Sequence, residues 1–190
     1  MNNCENHKEE TPTLDKKISE FFLTNRKIFL TTAIEDKTAD DIVQKIIYLD
    51  SLSHDDIYLF ISSPGGVISS GMAILDVMEA VESNIVTVVM GQAASMAAVI
   101  LACGDKRYAW PRSRVMIHQP LISGMFQGNT IEIETEAKEI SRMKDELNQI
   151  LSERTRQDIS KITKDTDRDF WMTSSDALDY GMVDEVKTVI

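Results

Sequence analysis

The stretch SNIVTVVMGQAASMAAVILACG, Ser83 to Gly104, decides how this chain is read. It carries no formal charge and is long enough to cross a bilayer as a helix. Its composition, however, changes midway. Ile85 to Met90 is mostly β-branched, Gly91-Gln92 interrupts the run, and Ala93 to Cys103 is rich in alanine and methionine. A membrane span has no need of such a switch. The pattern predicts a buried strand, a turn, then a buried helix.

The same alternation continues outward. KIFLTT (27–32), IYLFI (57–61) and VMIH (115–118) read as further strands. Between them, Ala39 to Leu52 places Ile42, Ile46 and Leu49 on one helical face, and Val67 to Val81 does the same with Ile74, Val77, Met78 and Val81. Strands alternating with amphipathic helices predict an α/β domain. The longest helical pattern, from about Glu132 to Arg156, has a narrow stripe of Ile140, Met143, Leu147, Ile150 and Leu151 among alternating charges. That stripe suits either a helix packed on another subunit or a surface helix with a solvated face.

At 190 residues the chain has the length of one well-buried domain. Lys and Arg total 20 against 31 Asp and Glu, a net charge of -11, which disfavours nucleic acid and anionic membrane surfaces as partners. Cys4 lies in a polar N-terminal stretch and Cys103 in an apolar run, so no disulfide framework or metal-binding CxxC is indicated, and a reducing cytoplasm is the expected compartment. Residues 1–13 lack an apolar segment behind a basic one and read as a flexible tail, not a secretory leader.

Four short stretches could carry chemistry. In Gly91 to Ala97, Ser95 places a lone hydroxyl at a helix start, where free amides and the helix dipole favour developing negative charge; taken alone, the position more commonly holds a residue that caps the helix. His118 closes an apolar strand and is followed by Gln119-Pro120, which turns the chain out of the sheet. The run DTDRDFW (165–171) offers Asp165, Asp167 and Asp169, among which spacing does not choose, and it also suits a solvated acidic turn. The glycines of SSPGGV (62–67) permit backbone conformations closed to other residues and let amides approach a ligand, as they would in a plain turn.

Taken in order, SPGG, GQAASMA, SRVMIHQP, DTDRDFW and DALDYGMVDEV resemble the ClpP family, the proteolytic subunit of the ATP-dependent Clp protease, from about Arg26 to Val186. The resemblance implies an α/β, crotonase-like fold of ββα repeats with a protruding handle helix (about 121–156), one peptidase domain over 21–190, and an N-terminal axial-gate segment over 1–20. It implies Ser95 as nucleophile, His118 as general base and Asp169 as its orienting carboxylate, with the amides of Gly66 and Met96 as oxyanion hole. It further implies two stacked heptameric rings joined through the handle, with Asp167, Arg168, Asn129 and Glu132 at ring-to-ring contacts. Tyr58, Phe60, Val88, Met90 and Tyr108 match clefts that receive loops of an AAA+ unfoldase.

No cofactor or metal is implied for this chain. It has no Walker A pattern, GxxxxGK(S/T), so ATP would be used by the unfoldase partner. Four features depart from the family pattern: Asn129 in place of Gln, Ala97 in place of Gly, Lys187 in place of an apolar residue, and a longer loop over 121–127. The substitutions at Asn129, Ala97 and Lys187 motivate a second reading, a structural or regulatory ring subunit active only beside a paralogous catalytic ring. A third reading, an acyl-CoA enzyme of the crotonase type, shares the fold and leaves the Ser, His and Asp motifs without a purpose.

Overall fold

A computed structural model describes residues 13–121 and 128–189. The first element is α1 (Leu14–Thr24), capped by the Thr13 hydroxyl. Of the segment 1–20, expected to be a flexible gate, residues 1–12 lie outside the described part and the remainder begins this helix. There follow β1 (Lys27–Leu30), α2 (Asp36–Leu52), β2 (Ile57–Ser63), α3 (Ile68–Ala80), β3 (Ile85–Ala94), α4 (Met96–Ala102), β4 (Lys106–Ala109) and β5 (Arg114–Ile117). The chain ends with α5 (Thr130–Thr155), α6 (Ile159–Asp165), β6 (Phe170–Thr173), α7 (Ser174–Tyr180) and β7 (Glu185–Val186).

The α/β expectation holds. One sheet runs β1-β2-β3-β4-β7 in parallel, and β5 branches from β3 to pair with an antiparallel β6. Strand β3 is the axis of this arrangement: Val86 to Val89 pair with β4, whereas Gln92 to Ala94 pair with β5. The change of partner comes at a bulge, where Ile61 faces Val89 but Ser63 faces Ala93. Gly91, at φ +75°, takes up the extra residues. The turn expected at Gly91-Gln92 is therefore a bulge within a longer strand, and the chain turns only at Ser95.

Alternate residues of the strands serve two cores. Ile57, Leu59 and Ile61 of β2, with Ile85 and Val89 of β3, join Ile42, Ile46, Leu49, Ile74 and the whole apolar length of α4 in the main core. Phe60, Val86 and Val88 face the other way and form a second cluster with Phe29, Tyr58, Met90, Tyr108 and Trp110. Because both faces of β3 are covered, its sequence is a continuous apolar run.

Helix α5 packs only along its second half. Leu147 and Leu151 are buried and Ile140 and Met143 half-buried, but Ile131 and Ile133 near its start are exposed. It therefore projects from the body as expected of a handle; residues 122–127 of the preceding loop lie outside the described part. Among the described residues no helix is long and apolar enough to cross a membrane.

Candidate functional site

The strand registers bring the three candidate residues together. Strand β3 pairs with β5 up to Ala94–Met116, and the Ser95 N–H extends the ladder by donating to Met116 O at 2.9 Å. On the other side of β5, Ile117 faces Phe170, so the next pair outward is His118 with Asp169. Three residues remote in sequence thus stand at adjacent ends of three neighbouring strands.

The side chains meet accordingly. His118 Nε2 lies 2.8 Å from Ser95 Oγ. Asp169 Oδ1 lies 3.3 Å from His118 Nδ1, but the approach is misaligned and Nδ1 is buried without a hydrogen-bond partner. We regard this contact as close but not bonded, since angle as well as distance decides a hydrogen bond. The histidine side chain is 11% exposed and the aspartate 61%.

Of the two roles open to Ser95, the structure excludes side-chain capping: its hydroxyl makes no hydrogen bond to α4. Ser95 instead adopts φ 57°, ψ -129°, a strained backbone for a residue with a side chain. This sharp turn lifts Oγ off the helix axis toward His118. Of the three aspartates, Asp165 is engaged elsewhere, by the Lys161 ammonium and the Tyr180 hydroxyl. Burial acts to raise its pKa, but these two bonds outweigh it and hold the carboxylate below its ordinary range. Asp167 points outward beside Arg168, with 3.8 Å between Oδ2 and Nε, and both side chains are largely exposed. Only Asp169 reaches the histidine.

The glycine pair abuts the serine turn. A Cβ on Gly65, at φ +88°, would stand 2.6 Å from Ala94 O, 2.7 Å from Ser95 Cβ and 3.0 Å from Met96 N. Gly66 bridges to Ile34, whose neighbours close the turn through Ile34 N–H to Gly65 O and Val67 N–H to Ile34 O. The N–H of Met96 opens α4 and has no intrahelical acceptor. Within the described residues neither it nor that of Gly66 donates to a protein acceptor. A small cavity beside Ser95 and His118 is walled mainly by Ile68, Met96, Val99, Ile117, Leu147 and Leu151. Ala97, which stands where the family pattern has glycine, is fully buried in the main core and does not line this cavity. Among the described residues no group of three or more His, Cys, Asp or Glu side chains could hold a metal ion.

The remaining candidates fall into two groups. Asn129 and Glu132 form a capping box on α5: Asn129 Oδ1 accepts from the N–H groups of Ile131 and Glu132, and the Glu132 carboxylate accepts from Asn129 N–H. Asparagine in place of glutamine suits this position, because the shorter side chain reaches its own helix start. Tyr58, Phe60, Val88, Met90 and Tyr108 all lie in the second cluster, with Phe60 and Val88 buried and the others half-buried. Lys187 joins them, its ammonium 4.3 Å from the Tyr108 ring centroid. Sequence reasoning gave no role to Gln119, whose only signal was its place directly after His118.

A family model described as Clp protease matches residues 9–189, beyond both ends of the motif-bearing region.

Proposed function

Because the chain belongs to the Clp protease family, we propose that it is a serine endopeptidase subunit that cleaves unfolded polypeptides delivered by an AAA+ unfoldase. The observation that carries this reading is the 2.8 Å contact between Ser95 Oγ and His118 Nε2 at a strained strand-to-helix turn. Neutral His118 accepts the Ser95 proton as Oγ attacks the peptide carbonyl. The oxyanion is received by the amides of Gly66 and Met96, which need no reorganisation to do so. The imidazolium then protonates the leaving amine as the C–N bond breaks. Water, deprotonated by His118, hydrolyses the resulting ester and restores Ser95. Asp169 selects the tautomer with the proton on Nδ1 and stabilises the imidazolium.

No cofactor takes part in these steps. The apolar cavity adds a modest preference for an apolar side chain next to the scissile bond. Stacked heptameric rings in the cytoplasm, joined through α5 and the Asp167-Arg168 pair, would enclose the sites. The aromatic cluster around Phe60 would receive the unfoldase.

Hydrolysis of a fluorogenic peptide tests the reading. Ser95→Ala is expected to abolish turnover at unchanged native mass; equal turnover by the variant refutes it. A second reading, a ring subunit active only beside a paralogous catalytic ring, is favoured by one observation: the unbonded His118 Nδ1. It requires that the assembled protein alone be inactive and that adding the paralogue restore turnover dependent on Ser95.

A further inference from the structure

Gln119 ties three parts of the fold together. Its N–H donates to Thr166 O at 2.6 Å, and its Nε2 donates to Asp167 O at 2.9 Å, with Asp167 Oδ1 at 3.4 Å. Its Oε1 accepts from Lys144 Nζ of α5 at 2.9 Å. These partners fix the orientation of the amide, since a carbonyl only accepts and an ammonium only donates. One helical turn further along the same face of α5, Asn148 Oδ1 lies 3.1 Å from the buried Thr166 hydroxyl, which shares its proton with Ile162 O at 2.9 Å. Helix α5 therefore grips the stretch before Asp169 at two points.

Asp169 needs such support. Among the described residues its carboxylate makes no hydrogen bond, so its place is set by the backbone on either side: the β5–β6 ladder after it and the Gln119 clamp before it. We propose that Gln119 and Lys144 are positioning residues, which hold the 166–169 segment so that Asp169 faces His118 Nδ1. The inference rests on the serine-peptidase reading. The charged groups at this junction are Asp167, Arg168 and Asp169 on the segment and Lys144 on α5.

The test is steady-state hydrolysis of the fluorogenic peptide by the assembled protein carrying Lys144→Met, which keeps the stem and removes the ammonium. A misplacement of about 1 Å lowers kcat by roughly 10²-fold, at unchanged KM and native mass. Lys144→Arg restores most of the loss. In an Asp169→Asn background Lys144→Met has no further effect, since both changes act through one contact. Should Lys144→Met fail to assemble, Gln119→Glu, which sets a carboxylate against Asp167 O, carries the same expected signature. An unchanged kcat, a loss confined to KM, or a full additional loss in the Asp169→Asn background overturns the clamp. Turnover surviving Ser95→Ala refutes the underlying reading instead, so the two failures are distinguishable.

Discussion

Gly65→Ala isolates the contribution of the serine turn's support. The added methyl would stand 2.6 Å from Ala94 O and 2.7 Å from Ser95 Cβ, at φ +88°. The positive φ costs about 1–3 kcal/mol for a residue with a side chain. Both close neighbours belong to the turn, so relief of the clash must displace Ser95. A displacement approaching 1 Å lowers kcat by about 10²-fold. Gly181 is a matched control: it has φ +90°, and its Cβ would stand 2.5 Å from Thr155 O, with its three nearest neighbours all in Thr155 and none in Ser95, His118 or Asp169. With a backbone cost of about 2 kcal/mol, both variants should melt roughly 4–8 °C lower in a domain of this size. Only Gly65→Ala should lose turnover. Peptide hydrolysis, thermal melting and native mass on the same preparations decide the matter. A Gly65→Ala protein that melts like Gly181→Ala and keeps kcat within about twofold would show that Ser95 does not depend on this packing.

Two further outcomes are expected. Asp50, lowered to about 2 chiefly by the Ser83 hydroxyl, has a folded pKa below its unfolded value of 3.8, so its bonds stabilise the fold above about pH 4 and that share is lost as pH falls toward 2. Ser83→Ala should therefore show its full deficit in melting temperature at pH 5 and a smaller one near pH 2; a constant deficit would contradict the linkage. Asn129→Gln should lose the side-chain cap of α5, a local cost of about 1 kcal/mol. Amide hydrogen exchange at Ile131 and Glu132 should speed up, and unchanged protection would refute the capping box.

The sequence by itself determined the alternation of strands and helices, because burial on two faces imposes a continuous apolar run on β3 and burial on one imposes a helical period on α2 and α3. It also placed Ser95 at a helix start and His118 at a strand end, since both positions follow from local chain chemistry. It did not distinguish nucleophile from cap, or choose among Asp165, Asp167 and Asp169 without the family resemblance. Those choices are long-range. The capping role fails because of the backbone angles that the Gly65 contact and the Met116 bond impose on Ser95. Asp169 is singled out because the antiparallel register Ile117–Phe170 sets it opposite His118, while Asp165 turns back to Lys161 and Tyr180. The Lys144–Gln119 bond spans 25 residues. A local pattern carries no record of such a pairing, because only the packing of α5 on the strand ends brings the two groups within reach.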